Sequence, residues 1–231
     1  MIGPIKNIVF DFDGTLVDTM PSVIAGLTEA VRVGTGKVVS KNELVATFGG
    51  SPLTVLRHWM PEERVSEAFQ AWIDFENASG PESMVPFEGV ETLLKTLKKN
   101  QINIGIFTGR DRPGTVRIAK AHNWIDSFFS EECLVCGDDG FPAKPSGEAL
   151  KYLLQKKNWA PSETLMVGDH PYDMQAGREA KTKVAAALWD MPKSGGTQRS
   201  RFKEAWQKWD SVDTDLRLDE PMSLARMFQI Y

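Results

Sequence analysis

The sequence predicts an α/β fold: a parallel sheet with helices on both faces, plus an inserted α-helical cap. Three observations carry this expectation. Short apolar, partly β-branched runs recur along the chain, and each ends in a cluster of glycine and polar residues. Helical patterns separate the later runs, which implies right-handed βαβ crossovers and a sheet buried on both sides. Between residues 15 and 86 the alternation stops and nearly all of the chain reads as helix.

The elements follow in order. Residues 5–10 are short and apolar and end in an Asp/Gly cluster, as a buried central strand does. In residues 20–33, Val23, Ile24, Leu27, Ala30 and Val31 form one stripe; in residues 62–76, Val65, Phe69, Trp72 and Ile73 form another. Gly49-Gly50-Ser51-Pro52 breaks these helices and Ser79-Gly80-Pro81 leads out of them. Such a long helical stretch exceeds a simple crossover and reads as a cap over residues 15–86, inserted into a core made of residues 1–14 and 87–231. Val90, Leu93, Leu94 and Leu97 then mark a helix that Asn100 can end. A second strand at 102–107 ends at Thr108-Gly109-Arg110, a third at 164–167 ends at Gly168-Asp169, and a fourth spans 183–188. Residues 116–122 and 147–157 are helix candidates, and Cys133–Cys136 reads as a short strand. Beyond residue 193 the chain shows a loop at 194–197 and two possible helices, 199–209 and 224–230. The sheet is therefore expected to be Rossmann-like.

Composition narrows the function. The chain has 231 residues, 42% apolar and 25% charged, which suits one core domain with a smaller insertion. A net charge of -4 gives no general attraction to nucleic acid. No apolar run approaches a membrane span, and no signal-like segment opens the chain, so no membrane partner and a cytoplasmic location are expected. Cys133 and Cys136 lack the further ligands of a zinc site and read as reduced structural thiols.

In open parallel sheets, ligands bind beyond the carboxyl ends of the strands. The groups that follow the apolar runs are Asp11, Asp13, Gly14 and Thr15; Thr108, Gly109 and Arg110; Lys144; and Asp169 and Asp173. With no histidine or cysteine among them, Ser-His or Cys-His acyl transfer is disfavoured. Hard oxygen donors with a lysine favour Mg²⁺ and a phosphate substrate.

Asp11-Phe12-Asp13-Gly14-Thr15-Leu16-Val17-Asp18 resembles the first motif of the haloacid dehalogenase superfamily. Thr108, Lys144-Pro145 and Gly168-Asp169 with Asp173 match its other three motifs in order, and the resemblance covers residues 5–190. It is nearest to phosphoglycolate phosphatase-like members with a helical cap. The resemblance implies a Mg²⁺-dependent phosphatase that hydrolyses phosphate monoesters of small phosphorylated metabolites through an aspartyl-phosphate. Asp11 would be the nucleophile and Asp13 the proton donor and acceptor. Gly14, Thr108, Gly109 and Lys144 would bind the phosphoryl group, with Gly50 in the cap loop touching the rest of the substrate. Asp11, the Asp13 carbonyl and Asp169 would hold Mg²⁺, supported by Asp173.

The family's dehalogenases lack the second aspartate, so Asp13 favours phosphate-ester chemistry. A β-phosphoglucomutase-like mutase is the enzymatic rival, and a catalytically dead binding protein the non-enzymatic one. Around the motifs, Asp18 is expected to help start the first cap helix, and Asp173 could also cap a helix. Arg57 and Arg110 are expected on solvated surface unless they meet substrate charge. His58, His122 and His170 read as structural or exposed.

Overall fold

The structure is a computed structural model and describes residues 3–47, 52–189 and 212–228. The chain divides into two compact units, Met1–Asp18 with Pro86–Tyr231, and Thr19–Val85. In chain order the strands are β1 (Asn7–Phe10), β2 (Val17–Asp18), β3 (Val85–Pro86), β4 (Asn103–Phe107), β5 (Leu134–Val135), β6 (Thr164–Gly168), β7 (Lys183–Ala187) and β8 (Leu216–Leu218). β2 and β3 form a two-stranded ribbon; the other six make one sheet in the order β5-β4-β1-β6-β7-β8.

Every pair in the six-stranded sheet is parallel. Ile8 lies opposite Ile104 and Leu165, and Phe10 opposite Ile106 and Val167. All four residues of β1 are buried. That is why its sequence runs apolar without alternating: both faces are covered. From β1 the chain moves outward through β4 and β5, then crosses to the other side for β6, β7 and β8. The order therefore reverses beside β1, and its carboxyl end becomes the switch point where such sheets bind ligands.

The crossover helices bury the expected stripes. In α5 (Val90–Lys99), Val90, Leu93, Leu94 and Leu97 are fully buried. The Asn100 side-chain amide donates to the Thr96 carbonyl at 2.9 Å and closes that helix. α6 (Arg112–Ala121) starts earlier than its apolar pattern suggests. Asp111 caps it by accepting the Gly114 N–H at 3.2 Å, and Pro113 sits in the first turn, where no N–H is needed. α7 (Glu148–Lys157) and α8 (Pro171–Glu179) complete the crossovers. A short helix, Pro221–Arg226, replaces the one expected at 224–230 and begins earlier.

β8 was not anticipated. It is held by backbone bonds from Asp215 N–H to the Val184 carbonyl and from Leu188 N–H to the Leu218 carbonyl. Thr15, Leu16 and Val17 are fully buried, and Phe87 N–H donates to the Leu16 carbonyl, so this stretch belongs with the sheet rather than with the helical insertion.

The second unit contains α1 (Met20–Thr35), α2 (Lys41–Ala46), α3 (Pro52–Trp59) and α4 (Glu62–Ser79). Ile24, Leu27 and Val31 of α1 pack in one apolar cluster with Leu44, Leu56, Val65 and Trp72. Ser40 and Glu43 form a capping box at the start of α2, a Ser-x-x-Glu signal that marks a helix start. Gly50 and the expected helix at 199–209 lie outside the described residues. Among the described residues no helix is long and apolar enough to cross a membrane.

Candidate active site

Three strand ends build the site. Asp11 follows β1 directly, and its N–H donates to the Val167 carbonyl of β6 at 2.8 Å. The chain then turns: Gly14 N–H reaches the Val17 carbonyl at 2.9 Å with Gly14 at a φ of 79°. A side chain at Gly14 would be strained by that φ, and its Cβ would lie 2.5 Å from Asp169 Oδ2. Thr108 follows β4 and is pinned by its N–H to the Val135 carbonyl at 3.0 Å. Asp169 follows β6. Asp173, in the first turn of α8, accepts the His170 N–H on Oδ2 at 3.0 Å.

Lys144 joins these groups. Its Nζ lies 2.6 Å from Asp11 Oδ1 and 2.6 Å from Asp173 Oδ1, and 4.7 Å from the centre of the Phe107 ring. Asp11, Asp169 and Asp173 each offer an oxygen within 4.8 Å of the others. Thr15 Oγ1 donates to Asp169 Oδ1 at 3.2 Å, and Trp189 Nε1 holds the Thr15 carbonyl at 2.8 Å.

Crowding of acids dominates the electrostatics. Burial pushes the Asp11 carboxyl up to about 7; Lys144 pulls it back in part, while Asp173 and Asp13 add to the rise. Asp169 is raised well above the usual carboxylate range, first by burial and then by Asp11 and Asp173. Burial alone would lower the Lys144 ammonium pKa, but Asp11 and Asp173 more than reverse this. One buried cation among three clustered acids leaves the cluster short of positive charge.

A sequence profile of haloacid dehalogenase-like hydrolases matches residues 8–187, most of the chain. This chain belongs to the haloacid dehalogenase-like hydrolase family. The pyrophosphatase PpaX of Anoxybacillus flavithermus is 32% identical over 185 residues, covering 80% of this chain and 84% of its own. The chain is a hydrolase of the phosphatase kind that such relatives represent. Among solved structures, a phosphoglycolate phosphatase-like protein from Lactobacillus plantarum superposes with a TM-score of 0.77 at 22% identity, over 97% of this chain and 100% of its own. CbbY from Rhodobacter sphaeroides, solved in complex with phosphate, gives 0.73 at 19% identity, over 95% and 96%. These two likenesses concern the fold.

Within this hydrolase the motif residues have the following places. Asp11, Asp169, Asp173 and Lys144 meet in one cluster. Thr108 is buried and its hydroxyl accepts the Arg110 N–H at 3.1 Å, and Gly109 lies between them on the same turn. The Asp13 carboxylate is turned to Arg110 instead of the acid cluster.

The expectations for Arg110 and Asp18 need correction, while those for Arg57, the histidines and the cysteines agree with the structure. Arg110 is buried, not solvated, because it is paired with Asp13. Arg57 is exposed and paired with Glu62 at 2.9 Å. Asp18 does not cap α1; it lies in β2, and Thr19 holds the cap position without a side-chain bond. His170 accepts the Tyr172 N–H at 3.2 Å as part of the α8 cap, His122 packs on Trp124, and His58 on Trp59. Cys133 and Cys136 are buried and free, and burial pushes the Cys136 thiol up to about 12, where it stays protonated. Sequence reasoning missed Trp189; its only signal was a position just past the end of a strand.

Proposed function

We propose that the chain is a Mg²⁺-dependent phosphatase of the cytoplasm that hydrolyses phosphate monoesters of small metabolites, phosphoglycolate-like in size, through an aspartyl-phosphate on Asp11. The observation that carries this reading is the Lys144 ammonium, 2.6 Å from both Asp11 and Asp173 at the switch point of the sheet. The residues present fit Mg²⁺. The clustered donors are all carboxylate oxygens, which that ion prefers. The raised pKa values of Asp11 and Asp169 fit as well, since a bound cation would relieve the repulsion that protons otherwise relieve. Asp11, Asp169 and the Asp13 carbonyl would hold the ion, with Asp173 in support. When bound, it would neutralise charge on the phosphoryl oxygens.

The side chains divide the remaining work. An Asp11 carboxylate oxygen attacks phosphorus while Asp13 gives a proton to the departing oxygen. Water then attacks the aspartyl-phosphate as Asp13 takes the proton back. Lys144 faces Asp11 and balances the charge of the arriving phosphoryl group. The Thr108 hydroxyl and the turns at Gly14 and Gly109 receive the phosphoryl oxygens. Thr19–Val85 would serve as the substrate-selecting cap, and Gly50 would touch the rest of the substrate.

The pyrophosphatase relatives favour a second substrate class, the phosphoanhydride of pyrophosphate. The experiment is a panel of small phosphate monoesters, pyrophosphate and a hexose 1-phosphate, each assayed with Mg²⁺ and after exhaustive chelation. Mg²⁺-dependent release of phosphate from the monoesters is expected. Turnover of pyrophosphate alone would move the substrate to the second class. Isomerisation of the sugar phosphate would make the chain a mutase, and full activity without metal would sink the proposal.

A further inference from the structure

Arg110 falls outside the roles assigned so far. Its side chain is only 1% exposed, whereas that of Asp13 is 25% exposed. Arg110 Nε lies 3.0 Å from Asp13 Oδ1 and 3.1 Å from Oδ2, and a terminal guanidinium nitrogen lies 2.9 Å from Oδ1. Two nitrogens of a planar fork fix both the position and the plane of a carboxylate, which one ammonium contact cannot do. Among the described residues, Oδ1 thus receives two donors and Oδ2 one. With two lone pairs on each oxygen, the open one is on Oδ2.

The fork is aimed by a rigid turn. Arg110 N–H donates to Thr108 Oγ1 at 3.1 Å, and its carbonyl accepts the Gly137 N–H at 2.8 Å. Gly137 has no room for a side chain, since a Cβ there would overlap the Gly109 carbonyl oxygen. Arg112 ties the same turn down through two contacts to Asp139, at 3.0 Å and 2.5 Å.

We infer that Arg110 is a positioning residue for the hydrolysis, holding the Asp13 carboxylate so that Oδ2 exchanges the proton. The inference rests on Asp13 being the proton carrier. In the first half-reaction the bond from Asp11 to phosphorus forms, the bond to the leaving oxygen breaks, and the proton on Asp13 Oδ2 passes to that oxygen. In the second, water adds to phosphorus, its proton returns to Oδ2, and Asp11 and inorganic phosphate separate. One water is consumed and Asp13 ends as it began.

The test compares wild type with Arg110→Met, Arg110→Lys, Asp13→Asn and both double variants. Substrates are an alkyl phosphate, whose leaving oxygen needs a proton, and p-nitrophenyl phosphate, whose phenolate leaves without one. Arg110→Met should lower kcat for the alkyl phosphate on the order of 10²-fold with little change in KM. It should leave the single-turnover burst with p-nitrophenyl phosphate nearly intact, and Arg110→Lys should restore part of the loss. In the Asp13→Asn background neither Arg110 change should cost anything further. Equal loss in the single-turnover phase on both substrates, additive loss in the doubles, or a raised KM at unchanged kcat would overturn the inference. If Arg110→Met melts early, the Arg110→Lys series carries the same comparison. An Asp13→Asn enzyme with wild-type kcat would overturn the role of Asp13 and this inference with it, whereas additivity in an impaired Asp13→Asn enzyme overturns this inference alone.

Discussion

Among the described residues Lys144 is the cation that pairs with both Asp11 and Asp173, and its removal should be felt twice. Lys144→Met leaves two buried carboxylates without their partner, so stability should fall by roughly 3 kcal/mol. Turnover should fall by about 10²-fold or more, because on the proposed mechanism the phosphoryl group loses a fixed positive charge. Denaturant melts and steady-state kinetics would check both. Asp11→Asn should separate these effects. On the proposed mechanism it removes the nucleophile, so turnover should drop by at least about 10³-fold. Its stability should not drop. The folded-state pKa of Asp11, raised to about 7, means that its ionised form is disfavoured in the metal-free fold. Above pH 7 a neutral amide removes that cost, and metal-free Asp11→Asn should melt at or above the wild-type temperature at pH 8. A clearly lower melting temperature would contradict the charge argument.

At the level of elements, α8 shows one carboxylate meeting both its own helix and the acid cluster. Asp173 Oδ2 accepts the His170 N–H, and Oδ1 meets Lys144. Asp173→Asn can keep the first contact, while Asp173→Ala loses both. The alanine variant should therefore be less stable than the asparagine variant by about 1 kcal/mol, with turnover reduced in both. Equal stability in chemical denaturation would show that the cap contributes nothing. The sequence revealed both uses of Asp173 as options, because Gly-Asp-x-x-x-Asp opens a helix directly after an apolar run. β1, β4, β6 and β7 were legible for a related reason: strands covered on both faces cannot avoid being apolar, and their ends must turn polar. β8 was not legible, because Leu216-Arg217-Leu218 is too short to form a pattern and depends on β7 for its partners. The first turn of α6 was hidden by Arg112-Pro113-Gly114, which reads as a break unless Asp111 is recognised as the cap. The burial of Arg110 was beyond reach for a different reason. Its partner Asp13 lies 97 residues away in the chain, and only the pairing of β1 with β4 brings the two turns together.

Across the whole molecule, the acid cluster should make stability depend on pH and on Mg²⁺ in linked ways. The folded-state pKa of Asp11 is about 7 against an ordinary value of 3.8, and Asp169 shifts in the same direction. Between those two values the metal-free folded protein binds more protons than the unfolded chain. Its stability from these groups is then fully present below the ordinary carboxylate range and is lost as pH rises through about 7. On the proposed reading Mg²⁺ would compete for the same oxygens, so it should bind weakly at pH 5 and more tightly at pH 8, releasing protons as it does. At a concentration about 100 times its dissociation constant, the ion should add roughly 2.7 kcal/mol. For a chain of this length that corresponds to about 5–10 °C in melting temperature. The shift should be small at pH 5, should not be reproduced by sodium salt of equal ionic strength, and should shrink in Asp169→Asn. Calorimetric scans at the two pH values, with Mg²⁺ and with chelator, would read this without any substrate. A Mg²⁺ shift of the same size at both pH values would mean that the ion stabilises the protein somewhere other than at Asp11 and Asp169.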